Sequence, residues 1–370
     1  MGDNKKNERI DSLQVVRAMA FVGVFLYHVA KSFPGEGILY DFFYKSPGRW
    51  GVSVFFVLSG FVMTYSYWNR PIPPTLKDAV RFSIKKIKKL YPLHLLMLFV
   101  GAVYLFLQHE TVLEVLAKLA ITVPLIQTWL PVGYQAINSV AWYLSVCVFI
   151  FFCFPYLLGL IKRNKKMRYS IIAILCVFVA QLVVGYCTFR FTSVDIKWIT
   201  YCHPVFRLGD FAVGGFLASI YLNRKSASNS NRPLSITWGS VFEFVALALN
   251  VLACVVCLKA PENTVWFTYT SLFIPSTAVL VYVFSLSAGI VSKLLANRFT
   301  LWLAAVSPYA FLIHRLVINY FRAFTKYVLH REHVNFAIVI MVSFGITIVA
   351  VYVYQGLEKM VASMVEEKKM

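Results

Sequence analysis

DSLQVVRAMAFVGVFLYHVA, residues 11 to 30, is the stretch that decides the fold. It is apolar along most of its length, and about 20 such residues in a helix match the hydrocarbon core of a bilayer. Past its first residue it carries two ionisable side chains, Arg17 and His28. At roughly 100° per residue, a spacing of eleven falls within about 20° of three whole turns, so both lie on one helix face. They are then roughly 16 Å apart along the axis, about half a hydrocarbon core. A charge in a membrane helix is costly, so it turns toward a protein interior or a wet cavity and marks function. The plainer alternative is an arginine that snorkels and a histidine bonded in the core. A neutral histidine in a dry site still serves as a general base, because it titrates near physiological pH.

The rest of the chain agrees with a membrane origin. Of 370 residues, 59% are hydrophobic, and the mean hydropathy is +0.69. That implies an all-α, polytopic membrane protein. Ten spans of about 20 residues are expected, near 12–30, 50–68, 91–108, 139–161, 168–187, 203–222, 237–258, 265–288, 301–325 and 335–355. Together they form one membrane domain over residues 1–370, with no internal repeat and no appended soluble domain. Thr111 to Leu130 is apolar but broken by Lys118 and Pro124, and reads as an amphipathic or re-entrant piece. Asn223 to Pro233, NRKSASNSNRP, reads as a flexible loop. Met1 to Arg9 is polar and lysine-rich, and no small-residue cleavage site follows, so the first span reads as a retained helix rather than a signal peptide.

The net charge of +20 is distributed by topology. With the N-terminus inside, 23 of the 36 Lys and Arg fall in inner segments, 9 in outer segments and 4 within spans. This excess places both termini in the cytoplasm, in a multi-pass protein of the cell membrane. Basic residues dispersed over short loops do not form a nucleic-acid face. The seven cysteines lie mostly in apolar spans, where cysteine behaves as a small hydrophobe. Cys254 and Cys257 form C-x-x-C without a second pair, so no metal is expected. Cys187 and Cys202 flank one short loop and would bridge only if it is extracytoplasmic.

Other candidate residues follow along the chain. Phe55-Phe56-Val57-Leu58-Ser59-Gly60-Phe61 places small residues in an aromatic helix, which permits close packing; Ser59 is a weak nucleophile candidate. RFSIKKIKKLYPL, residues 81 to 93, sets Lys85, Lys86, Lys88 and Lys89 before Tyr91-Pro92. It reads as an anchor on anionic membrane lipid or as a grip on a phosphorylated ligand. Arg207 and Asp210, at i,i+3, are expected to pair locally. Glu243 is the one acid deep in the seventh span, placed to answer a buried arginine or to tune a histidine. Trp142, Trp198, Trp266 and Trp302 lie near span ends and read as interfacial anchors. His314, followed by Arg315, is a core histidine or a second polar wall of the site. Glu36 and Asp41, in the first outer loop, are further candidates for ligand contact.

The order of these motifs resembles the acyltransferase-3 family. R-x10-H in the first span, FF-x-LSGF in the second and a basic pair before L-Y-P are followed by three more matches. Asn138 to Ser145 (NSVAWYLS) resembles N-x-x-x-W-x-L, Arg207 to Gly215 (RLGDFAVGG) resembles R-x-x-x-F-x-x-G, and Ser307 to His314 (SPYAFLIH) resembles the C-terminal S-Y-x-x-Y-L-x-H span. Three departures stand out. Lys86 and Lys89 replace the usual arginines, and lysine lacks their bidentate fork. Cys147 stands where a glutamate is common, and Pro308 and Phe311 alter the last motif.

The resemblance implies O-acyl transfer, commonly of acetyl, from acetyl-CoA or another acyl-CoA to a hydroxyl of a surface polysaccharide or lipid-linked glycan. No bound cofactor is implied; acyl-CoA is a co-substrate. His28 would be the catalytic base and Arg17 would hold donor phosphate or stabilise developing charge. Lys86, Lys89 and Tyr91 would bind the donor, and Ser59, Trp142, Arg207 and His314 would line the acceptor side. Two rival classes are a transporter or flippase for a lipid-linked glycan, with Arg17 and His28 along its path, and a non-catalytic partner of a glycan assembly complex.

Overall fold

A computed structural model describes residues 8–70, 72–163, 166–227, 234–331 and 333–367. Part of the expected loop, 228–233, lies outside the described residues, as do residues 1–7 of the polar N-terminal stretch.

Among the described residues the chain is helical, with no strand. The helices in order are α1 (Asp11–Ser32), α2 (Ile38–Lys45), α3 (Pro47–Tyr67), α4 (Leu76–Ile87), α5 (Tyr91–Leu107), α6 (Val112–Thr122), α7 (Trp142–Arg163) and α8 (Met167–Phe191). They continue with α9 (Pro204–Ala227), α10 (Ile236–Lys259), α11 (Val265–Thr268), α12 (Ile274–Ser285), α13 (Ile290–Leu295), α14 (Arg298–Tyr327) and α15 (Phe336–Glu367). Eight are long and apolar enough to cross a bilayer, and there are ten candidate spans if two bent pairs each count as one.

Those two pairs refine the expected spans. α4 and α5 meet at 58°, so the basic run of α4 bends away from the apolar α5. The expected span 265–288 is broken, with a bend of 55° between Glu262–Thr268 and Ser271–Ser285. The physical reason is local. Thr270, at the break, has a non-helical φ of −144° and donates its hydroxyl to the Thr200 carbonyl of another segment. Thr111 to Leu130 does not form a long helix. α6 has 11 residues, about 16 Å, closed at its start by a capping box between Thr111 and Glu114.

α1, α3, α9 and α14 form the centre, while α8, α10 and α15 leave most of their apolar surface exposed. Ile172, Val179 and Val183 on α8 and Val349 and Val353 on α15 belong to that outer surface. Exposed apolar helices with internally satisfied backbones suit a lipid surround. The small residues of the second span do permit close packing. A side chain at Gly60 would overlap the Phe211 carbonyl, and one at Gly214 the Val57 carbonyl. α3 and α9 therefore touch backbone to backbone, which leaves α1 and α14 to frame a space beside them.

Several sequence readings are corrected here. Trp142 is no interfacial anchor; it is 4% exposed, packed against Tyr201 and Phe56. Glu243 answers neither an arginine nor a histidine. Its carboxylate accepts from the backbone N–H groups of Gly289, Val291 and Ser292 and so caps α13. Cys187 and Cys202 are both free, the first exposed and the second buried.

Candidate active site

α1 presents Arg17 to an interior cavity and His28 to His314 of α14. Arg17 borders a cavity of about 240 Å³ enclosed by α1, α3, α4, α7 and α14. Ser59, Lys86, Tyr143, Cys147 and Ser307 share this lining. Tyr143 bridges it: its hydroxyl interacts with the side chains of Ser59 and Cys147. Among the described residues Arg17 has no carboxylate partner; its one side-chain bond is from Nη1 to Gln14 Oε1 at 3.3 Å. Lys86 packs its ammonium over Tyr67 at 4.8 Å, also without a carboxylate. Two cations and no acid make the cavity a place for an anion.

The far wall of the cavity is Phe311, whose ring lies 5.8 Å from His314. Pro308, within α14, explains the local geometry of that wall. It lacks the N–H that would bond the Ala304 carbonyl, and Ser307 Oγ donates to that carbonyl instead at 2.9 Å. One turn on, His314 enters the interior, fully buried against Phe21 and Phe25.

His28 Nδ1 and His314 Nε2 are 2.9 Å apart, and His314 Nδ1 is 3.0 Å from the Ala310 carbonyl. A carbonyl only accepts, so His314 Nδ1 carries a proton. In the neutral ring Nε2 is then bare and accepts from His28 Nδ1–H. That leaves the lone pair of His28 on Nε2. The chain carbonyl–imidazole–imidazole thus fixes one tautomer of His28 and makes Nε2 its basic nitrogen. His28 as a residue is not fully buried. Such an arrangement can accept a proton from an attacking hydroxyl.

The remaining candidates divide. Lys89 and Tyr91 lie outside the cavity lining: Lys89 sits 5.7 Å from the Tyr309 ring, and the Tyr91 hydroxyl donates to the Val123 carbonyl. Arg207 pairs with Asp210 at 2.6 Å, as the i,i+3 spacing predicts, and both are fully buried. Arg207 Nε also donates to the Tyr201 carbonyl at 2.7 Å, and Gln181 donates to Asp210 at 2.9 Å. Arg207 and Trp142 therefore form a closed layer around Tyr201 and Phe56 rather than the cavity wall. The sequence reading did not foresee Tyr143 or Arg315. Tyr143 follows Trp142 directly, but nothing local marks it as facing the cavity. Arg315 joins Ser32 at 2.7 Å and Ser139 at 3.2 Å, residues far from it in sequence.

Residues 10–355 match the family model described as an acyltransferase domain, Acyl_transf_3. Acyltransferase MdmB of Streptomyces mycarofaciens is 32% identical over 173 residues, 43% of this chain and 42% of that protein. A protein of Staphylococcus aureus (strain COL), provisionally named O-acetyltransferase SACOL0978, is 24% identical over 177 residues, 45% of this chain and 28% of its own length. Each alignment spans less than half of the relative. No solved structure matches significantly.

Proposed function

The chain belongs to the acyltransferase-3 family, and from that premise we propose that it is a multi-pass O-acyltransferase of the cell membrane. It moves an acyl group, in the simplest case acetyl, from acyl-CoA to a hydroxyl of a surface polysaccharide or lipid-linked glycan. The observation that carries this reading is the 2.9 Å contact between His28 and His314, with Ala310 behind it.

In the reaction the acceptor oxygen attacks the thioester carbonyl carbon while His28 Nε2 takes the hydroxyl proton. The tetrahedral intermediate collapses, the C–S bond breaks, and the proton passes from His28 to the departing sulfur. An ester and free CoA result. His314 holds the imidazole in the productive tautomer throughout, as an orienting partner does in other base-assisted acyl transfers. General-base assistance of this kind contributes about 10²–10⁴-fold in rate.

Arg17 lies roughly 16 Å along α1 from His28. That is too far to meet the oxyanion and of the order of an extended pantetheine arm. Its role in this reading is to hold donor phosphate, with Lys86, while the thioester reaches past Phe311 toward His28. The cavity is small against typical ligand pockets of about 300–1,000 Å³. It suits the thin arm, and the nucleotide rests on the basic face of α4. The lysine distribution supports a cytoplasmic donor face, on the side where acyl-CoA is made.

The test uses purified protein in liposomes with acetyl-CoA and a cell-envelope glycan extract. Glycan-dependent release of CoA by the wild type, lost in His28→Ala, is the expected result. Wild-type turnover in both His28→Ala and His28→Gln at equal expression removes His28 from the mechanism. No acylated product with any extract, despite bound acetyl-CoA, turns the reading toward transport or assembly.

A further inference from the structure

Beyond His28, at the Ser32 end of α1, lies a group of cations that the donor site does not use. Arg49, at the start of α3, stacks on Tyr269 at 4.2 Å. Its Nη1 reaches only weak partners, Thr268 Oγ1 at 3.3 Å and Cys257 Sγ at 3.8 Å, and its Nε is buried without a partner. Arg315 is held by the hydroxyls of Ser32 and Ser139. Lys31 lies 3.3 Å above the Tyr44 ring. None of the three has a carboxylate within 4.0 Å among the described residues. Asp195 is engaged elsewhere, by the Tyr134 hydroxyl at 2.7 Å.

These groups converge on one place. Gly48, next to Arg49, packs against the Tyr27 ring, and the Lys31 ammonium lies 5.9 Å from that ring. The Tyr27 ring is 5.2 Å from His28, and Arg315 bonds Ser32, one turn further along α1. Tyr27, His28, Arg49, Tyr269 and Arg315 each retain some accessible surface. Guanidinium groups in an apolar protein cost stability unless an anion answers them. Arginine over tyrosine also makes a flat, partly charged platform suited to a sugar ring.

We infer that this cluster forms the acceptor subsite and that it selects an anionic carbohydrate, one whose carboxylate or phosphate pairs with Arg49 and Arg315 while its hydroxyl meets His28. The inference deepens the transferase reading and rests on it for the role of His28 alone. The charge selection stands on Arg49, Arg315 and Tyr269. A carboxylate on the sugar and a phosphate joining the sugar to a carrier share this chemistry.

The experiment measures binding separately from turnover. Full-length protein in detergent is titrated with methyl glucuronide, glucose 1-phosphate and, as the neutral control, methyl glucoside. Acetyl-CoA binding is measured in parallel. The expected result is that at least one anionic probe binds about tenfold or more tightly than the glucoside, a charged hydrogen bond contributing at about that scale. Preference for the glucuronide assigns a carboxylate, and preference for the phosphate assigns a phosphate. Arg49→Gln and Arg315→Gln should each erase the preference while acetyl-CoA still binds, which also shows that the variants are folded. Arg49→Lys and Arg315→Lys should retain part of it. Equal binding of all three probes by the wild type, no binding of any, or a preference that survives both glutamine variants overturns the inference. Anion-selective binding without CoA release in any arm would leave this subsite standing and defeat the transferase reading instead.

Discussion

His28 Nδ1 meets His314 Nε2 at 2.9 Å across 286 residues of sequence, with the other nitrogen of His314 tied to the Ala310 carbonyl. Two neutral rings in series can satisfy this geometry in one protonation pattern only, and it leaves His28 Nε2 bare. His314→Gln should therefore lower kcat by about 10–100-fold, as loss of an orienting partner does for a positioned imidazole. The KM for acetyl-CoA should stay unchanged, since His314 borders no part of the cavity proposed to hold the donor. Steady-state kinetics of CoA release decide; an unchanged kcat would remove His314 from the relay.

Among the described residues Arg17 and Lys86 share the cavity proposed to hold the donor, without an acidic partner. Arg17→Gln should weaken acetyl-CoA binding by about tenfold or more, the scale of one charge-assisted contact. Arg17→Lys should restore it only partly, because the ammonium lacks the guanidinium fork. Lys86→Ala should weaken it less. Equilibrium binding of acetyl-CoA to the purified variants checks the order.

Arg207 and Asp210 form a fully buried ion pair next to the α3–α9 contact. Asp210→Asn leaves the guanidinium charge without its partner and should destabilise the protein by about 3–5 kcal/mol. The double variant Arg207→Met/Asp210→Leu removes both charges and should be the more stable of the two. Thermal unfolding in detergent compares them. The opposite order would show that the pair does more than close the core.

Gly214 approaches the Val57 carbonyl too closely for any side chain, whereas nothing lies within 4 Å of a Cβ at Gly159 on α7. Gly214→Ala should cost about 1–3 kcal/mol or more through overpacking, and Gly159→Ala should be neutral or better. Yield of monodisperse protein and melting temperature report the difference.

Glu114 supplies the one pH-dependent device with a clear sign. Backbone and side-chain hydrogen bonds from Thr111 hold its carboxyl below the ordinary carboxylate range. The capping box thus stabilises the start of α6 above the unfolded carboxyl's range and is lost as pH falls through the lowered folded value. Normalised amide exchange over α6 should rise on acidification in the wild type and be insensitive to it in Glu114→Gln.

The membrane class of the chain was fixed by sequence alone, because it depends on quantities that add along the chain. Runs of about 20 apolar residues can meet their backbone needs only as helices in lipid. The shared face of Arg17 and His28 followed from helical periodicity, and so did the local pair of Arg207 and Asp210, both being relations inside one helix. The small residues around Gly60 likewise announced a close helix contact. The partners of those residues belonged to tertiary structure. Nothing in SPYAFLIH states that His314 will face His28, or that Phe311 will divide it from the cavity. Trp142 and Glu243 were misread because distance from a span end and depth in a span say nothing about which neighbour covers a side chain. Arg49 and Arg315 come from α3 and α14, and become neighbours of Tyr27 and His28 on α1 only when those helices pack. Periodicity sets which face a residue occupies; packing between helices decides what that face meets.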